Sequence, residues 1–183
     1  MKIAFVGQPA VGKDAVAEYI ARHYKLTHIS SGDLIRAYVT ENNLGGLDRT
    51  NLQVVGNKLR AQYGGDYLVV LALRKTPDNL ILTGLRTIDE VETFKKTGGT
   101  VIAITAPIEF RYQLAKKRGR IGENISFEEF KNIEEQEAQN PDRNSQNVNQ
   151  VIGMATIEVV NEGTLEELFE KVKRVVDGMR VSQ

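Results

Sequence analysis

The sequence predicts an α/β fold in three layers, a five-stranded parallel sheet between two layers of helices. Two observations predict it. Short apolar runs at Ile3-Ala4-Phe5-Val6, Leu80–Thr83, Thr100–Thr105 and Ile157–Val160, with a short extended candidate at Thr27–Ser30, alternate with longer stretches of helical periodicity. Strands separated by helices pair in parallel through right-handed crossovers, which cover both faces of the sheet. The second observation is the stretch Gly7-Gln8-Pro9-Ala10-Val11-Gly12-Lys13-Asp14, which links the first run to a helical pattern at Val16, Ala17, Ile20 and Tyr24. That order is strand, glycine loop, helix, the context in which a G-x4-G-K pattern cradles phosphates on inward N–H groups.

With 183 residues the chain suits one domain spanning 1–183, large enough for a core without disulfides or structural metal. Basic and acidic residues number 24 each, so no overall field draws in a nucleic acid polymer or an anionic membrane, and attraction to phosphate has to be local. Cysteine is absent, which excludes thiolate catalysis and Cys-ligated metals. The chain enters its first strand without a basic segment or a long apolar run, and the expectation is a soluble, cytoplasmic protein with no membrane partner. Oligomeric state is not legible in the sequence.

Taken in order, Ser31-Gly32-Asp33-Leu34-Ile35-Arg36 opens a second helix with a polar cap and an acidic first turn. Leu44-Gly45-Gly46-Leu47-Asp48 is a loop. Leu52, Val55 and Leu59, then Tyr67, Leu68, Val70, Leu71 and Leu73, make two helices broken at Gly64-Gly65. Thr87-Ile88-Asp89-Glu90 has capping-box spacing ahead of Val91 and Phe94. Pro107 suits the first position of a helix running from Ile108 to Arg118. Gly119-Arg120-Ile121-Gly122-Glu123-Asn124 is a short loop, and Ser126-Phe127-Glu128-Glu129 caps a charged helix running towards Asn140. The 140–150 stretch, rich in Asn and Gln, is expected to be a mobile connection. Thr164-Leu165-Glu166-Glu167 caps a last helix with Leu168, Val172, Val175 and Val176 inward.

Ligands of open parallel sheets bind beyond the carboxyl ends of the strands. That rule gathers the glycine loop, Ser31 to Arg36, Gly84-Leu85-Arg86 and Asn161-Glu162-Gly163 onto one rim. Lys13 is expected to face solvent and to reach the terminal phosphates of a nucleotide. A single arginine is commonly a solvated surface charge, but Arg36 and Arg86 lie just past two strand ends, and Arg111, Arg118 and Arg120 surround the loop after the fourth strand. Such a set suits an anionic acceptor site and a closing lid. Asp33 fits equally a helix N-terminal charge or an acceptor contact. His23 and His28 lack metal-spaced partners and are expected to be packing or surface residues.

Asp14 stands where this loop pattern usually carries Ser or Thr. A carboxylate about 4 Å from a phosphate charge is repelled by roughly 4 kcal/mol at an effective dielectric of 20. The helix N-terminus returns only about 0.3 to 1 kcal/mol, so a cation has to lie between them, and Mg2+ suits a carboxylate plus phosphate oxygens.

Ile29-Ser30-Ser31-Gly32-Asp33-Leu34-Ile35-Arg36 resembles the segment with which adenylate kinases grip the acceptor nucleotide, and Leu80-Ile81-Leu82-Thr83-Gly84-Leu85-Arg86-Thr87 resembles their third strand and acceptor-phosphate arginine. The chain thus resembles the nucleoside-monophosphate-kinase branch of P-loop kinases. From Arg111 through Gln136 to Leu168 it is also similar to dephospho-coenzyme-A kinases, and it resembles an archaeal adenylate-kinase-related group more closely than those. The resemblance implies a P-loop NTPase fold with acceptor-binding helices at about 31–76 and a short lid at about 118–126. It implies ATP and Mg2+ as cofactors, with ATP phosphates on Gly7, Gln8, Pro9, Ala10, Val11, Gly12, Lys13, Asp14 and Ala15, and the donor base near Asn161 and Gly163. It implies a small nucleotide-like acceptor on Ser31, Asp33, Arg36, Gly84 and Arg86, and transition-state charge on Arg118 and Arg120, with Arg111 beside them. Two departures stand out: Asp14 in the loop, and Thr83 where adenylate kinases have a strand-end aspartate. A Lys-Asp loop ending also occurs in phage deoxynucleotide kinases and in phosphomevalonate kinases. Besides the kinase reading, a non-catalytic nucleotide-binding protein stays open.

Overall fold

Alternation along the central strands decides which side of the sheet each helix covers. The computed structural model describes residues 1–76, 78–117, 125–138 and 147–181. The elements run β1 (Lys2–Val6), α1 (Lys13–Tyr24), β2 (Thr27–Ser30), α2 (Ser31–Glu41), α3 (Arg49–Tyr63), α4 (Tyr67–Lys75), β3 (Leu80–Thr83) and α5 (Ile88–Lys96). They continue as β4 (Thr100–Thr105), α6 (Ile108–Lys117), α7 (Phe127–Ala138), α8 (Val148–Gly153), β5 (Ile157–Val160) and α9 (Leu165–Val181).

All strand pairs are parallel, in the order β2-β3-β1-β4-β5, so β1 lies at the centre and its glycine loop emerges between the exits of β3 and β4. Phe5 stands opposite both Thr83 and Ile102. Ile3, Phe5, Ile81, Ile102 and Ile104 pack with Val16, Ala17 and Ile20 of α1 and Leu168, Val172 and Val176 of α9. Ala4, Val6, Leu80, Leu82, Val101 and Ala103 form the opposite face, beneath Leu34 and Val39 of α2, Val55 and Leu59 of α3, Leu68 of α4, and Val91 and Phe94 of α5. Each large apolar side chain so buried is worth about 1.5 to 3 kcal/mol relative to exposure. Two separate apolar sets, one per face, are what strands buried on both sides require.

The expected helix starts hold where the chain supplies reciprocal side chains. At Thr87 the hydroxyl accepts from the Glu90 N–H at 3.2 Å while Glu90 reaches back, a full capping box. Ser126 with Glu129 and Thr164 with Glu167 make the same exchange. α3 stops at Gly64, which takes φ 114°. Pro107 stands one position outside α6, where its carbonyl accepts from the Arg111 N–H at 3.0 Å.

The end of the 140–150 stretch requires a correction. There the chain forms the ordered helix α8, begun by the Asn147 side chain, which accepts from the Gln150 N–H at 3.1 Å. Val151 is buried in the face shared with α2 to α5, and Ile152, Met154 and Ala155 pack against the same core. Asn is a strong helix N-cap, and this local bond with an apolar face outweighs the polar composition. Residues 139–146, and residues 118–124 of the lid expected at about 118–126, with Arg118 and Arg120, lie outside the described residues.

Candidate active site

The glycine loop turns sharply because its backbone is held where a side chain will not fit. Gly7 follows β1 at φ 151°, and a Cβ there would collide with the carbonyl oxygen of Ile104 in β4. Ala10 at φ 66° and Gly12 at φ 95° complete the curl. Gly12 is the N-cap of α1 and supplies no side-chain hydrogen bond to the first turn, so the N–H groups there have no such cap in the positive end of the helix. Lys13 departs from its expected solvent-facing pose. It is only 9% exposed, and its Nζ donates to the Gln8 carbonyl at 3.3 Å, across the loop. The loop carbonyl there takes over solvation of a half-enclosed ammonium. Asp14 is exposed in the first turn of α1, followed by half-buried Ala15.

Asn161 fastens this loop to the far side of the sheet. It is buried at the end of β5, its Nδ2 donates to the Val11 carbonyl at 2.9 Å, and its own N–H donates to the Thr105 carbonyl at 2.7 Å. Gly163 lies in the turn between this residue and the Thr164 cap of α9.

On the other side, the exits of β2 and β3 touch: a Cβ on Gly84, at φ 87°, would lie 3.3 Å from the Ser31 Cβ. Ser30 caps α2 by accepting from the Gly32 N–H at 3.2 Å. Asp33 and Arg36 pair at 2.7 Å on the exposed surface. Such a pair contributes at most about 1 kcal/mol and leaves Arg36 cheap to redirect. Arg86 is half-buried and pinned through its backbone, whose N–H donates to Glu90 Oε2 at 2.6 Å and whose carbonyl accepts from the Asn147 N–H at 3.0 Å. Glu90 Oε1 receives Arg60 Nε and Nη2, each at 2.8 Å, and both side chains are buried. Arg111 is buried at the exit of β4, with Nε donating to the Ala106 carbonyl at 3.1 Å.

Thr83, in place of a strand-end aspartate, is fully buried, with Oγ1 at 3.1 Å from His28 Nε2. Burial pushes the His28 imidazole below its ordinary value, against the pull of the carboxylates of Asp14, Glu18 and Asp33. His28 is thus a packing residue, as expected, and one whose packing partner belongs to the rim.

Unsatisfied polar atoms outline the rim further. Among the described residues five buried side-chain atoms have no hydrogen-bond partner: Gln8 Oε1 and Asn161 Oδ1 beside the glycine loop, Ser31 Oγ at the β2 exit, and Asn57 Oδ1 and Arg60 Nη1 on α3. Buried polar atoms are paired in the great majority of cases, and three of these five, on Gln8, Ser31 and Asn161, stand at strand exits. Arg60, Asn57 and Glu90 did not stand out in the sequence. Arg60 lies in mid-helix rather than after a strand, and Glu90 reads there as a cap alone.

A parallel sheet ordered β2-β3-β1-β4-β5, with a glycine loop and lysine at the exit of its central strand, is the P-loop kinase fold. The chain belongs to the AAA domain family, whose pattern matches residues 6–131. A UPF0200 protein of Methanosarcina barkeri is 35% identical to it over 176 residues, 92% of this chain and 90% of that protein. A UPF0200/UPF0201 protein of Archaeoglobus fulgidus is 32% identical over 95% of this chain, which spans only about half that protein's length (54%). In architecture the chain is similar to the shikimate kinase of Aquifex aeolicus, with TM-score 0.61 at 16% identity over the whole of both chains. It is also similar to a gluconokinase of Sinorhizobium meliloti, with TM-score 0.55 at 12% identity over 100% of this chain and 97% of that one. No helix among the described residues is long and apolar enough to cross a membrane.

Proposed function

We propose that the protein is an ATP-dependent kinase that passes the γ-phosphoryl group of ATP to a small phosphorylated acceptor, a ribo- or deoxynucleoside monophosphate. The observation that carries this reading is the juxtaposition of the glycine loop, its helix N-terminus and Lys13 with the β2 and β3 exits, where Arg36 and Arg86 stand. Phosphoryl transfer needs cations that hold two anions in line and spread charge as the bond to the bridging oxygen breaks and a new one forms.

Gly7 to Ala15 hold the donor phosphates, and Lys13 exchanges the Gln8 carbonyl for a phosphate oxygen. Asn161 and Gly163 flank the donor base. Ser31, Asp33, Gly84, Arg36 and Arg86 hold the acceptor, and Arg36 leaves Asp33 for its phosphate. Arg118 and Arg120, with Arg111, offset transition-state charge. The loop fits a triphosphate, because a Cβ at Gly7 would collide with the β4 backbone and the first turn of α1 has no side-chain cap. Bound with ATP, Mg2+ supplies neutralisation of the phosphate oxygens, and Asp14 is the residue that would hold it.

The test is an acceptor screen with purified protein, ATP and magnesium, covering nucleoside monophosphates, dephospho-coenzyme A and phosphomevalonate. Little ADP forms with ATP alone and much with the right acceptor. No acceptor-dependent ADP with any of them would leave a non-catalytic nucleotide-binding protein. With the acceptor in hand, Arg36→Ala or Arg86→Ala chiefly raises its KM, whereas Arg118→Ala or Arg120→Ala lowers kcat by ~10³ or more. Equal effects from all four overturn these roles. Asp14→Asn weakens the magnesium dependence of ATP binding, and Asp14→Ser combined with Thr83→Asp restores much of it. Unchanged magnesium dependence in Asp14→Asn would reduce Asp14 to a helix-start residue.

A further inference from the structure

The two peptide planes that flank a Cα fix the direction of its Cα–Cβ bond, because only φ and ψ connect them. At Arg86 both planes are held by other elements. The plane before it carries the Arg86 N–H, which donates to Glu90 Oε2 of α5 at 2.6 Å. The plane after it is held on both sides: the Thr87 N–H donates to the same oxygen at 3.3 Å, and the Arg86 carbonyl accepts from the Asn147 N–H at 3.0 Å. Asn147 comes from far along the chain, beyond β4, α6 and α7.

Asn147 is itself seated firmly. It is 8% exposed, and its Oδ1 accepts from the Gln150 N–H at 3.1 Å, so its side chain starts α8 while its main chain reaches back to the β3 exit. One turn on, Val151 is buried in the same apolar set as Leu85, the residue before Arg86. α8 touches α5, β1 and α7, and α7 packs on α6, where Tyr112 lies against Phe127 and Phe130. The docked helix thus holds the Arg86 backbone in one conformation before any ligand arrives. An arginine on an unheld loop would have to be ordered by its ligand, which weakens binding.

We propose that Asn147 is a positioning residue for the acceptor site: seated by α8, it sets the main-chain carbonyl of Arg86 and through it the aim of the guanidinium at the acceptor phosphate. The inference rests on the kinase reading and deepens it, adding a residue that acts through Arg86 without touching the acceptor. It is tested by steady-state kinetics of the full chain with the acceptor that the screen identifies. Asn147→Pro, which removes the donor N–H, raises the acceptor KM roughly fivefold or more, about the effect of one net hydrogen bond, and leaves the KM for ATP unchanged. Asn147→Asp, which keeps both the N–H and a capping oxygen, stays at the parental value. In an Arg86→Ala background Asn147→Pro adds no further rise, since a residue that acts only through Arg86 has nothing left to position. Asn147→Ala, which removes only the cap, also raises the acceptor KM, and it decides alone if the proline variant does not fold. An unmoved acceptor KM, an equal rise in the KM for ATP, or a rise that adds in full to that of Arg86→Ala overturns the positioning role and leaves the kinase reading intact. If the screen yields no acceptor, the kinase reading falls and the positioning role with it.

Discussion

Lys13 rests on the Gln8 carbonyl at 3.3 Å, a long bond that a phosphate oxygen can replace. Lys13→Ala therefore costs about 1 kcal/mol of stability, roughly 2 to 4 °C in melting temperature, while phosphoryl transfer falls by ~10² or more. A melting temperature that collapses along with activity would make the loss structural. His28 predicts a pH dependence of opposite origin. Burial holds its folded value below the ordinary 6.5, so at pH 7.5 the ring is neutral whether the chain is folded or not. As pH falls through about 6.5 the unfolded chain takes up the proton first, and stability is lost on the acid side until the folded value is passed. His28→Gln should accordingly lose less melting temperature than the parent between pH 7.5 and about 5.5, and equal losses would refute the assignment. At this scale the sequence was readable where a residue follows a strand end, as Arg36 and Arg86 do. Arg60 escaped because its role depends on which flank of α3 meets the β3 exit, a fact of tertiary packing that helical spacing does not contain.

Glu90 links the elements around the β3 exit, since one carboxylate caps α5, receives the Arg86 N–H and neutralises a guanidinium from α3. Removing one member of a buried pair strands the other, at roughly 3 to 5 kcal/mol. Glu90→Gln should thus lower the melting temperature by roughly 6 to 20 °C, and Glu90→Leu with Arg60→Met should recover a good part of that loss. A loss in Glu90→Gln under about 1 kcal/mol, the range of an exposed pair, would show that water reaches the pair. The strands and capped helices were legible because alternation and Thr or Ser three residues ahead of Glu are local signals. α8 was not: it spans only Val148–Gly153, too short for its apolar period to rise above the Asn and Gln around it.

The sheet brings four distant chain segments to one rim, and the strand-end rule located that rim before the strand order was known. The order itself, and the division of helices between faces, needed the structure, because hydrophobic runs do not say which neighbour they pair with. One consequence of the division concerns synthesis. β1 occupies the centre of the sheet, yet its α1 face is closed only when α9, later in the chain than every strand, lays Leu168, Val172 and Val176 against Ile102 and Ile104. On a ribosome making about 5 to 20 residues per second, a growing chain that has delivered β4 waits roughly 4 to 15 s for the rest of α9. Throughout that wait Ile102 and Ile104 are an open apolar surface, and it is there, before release, that a nascent chain of this protein is most in need of a chaperone.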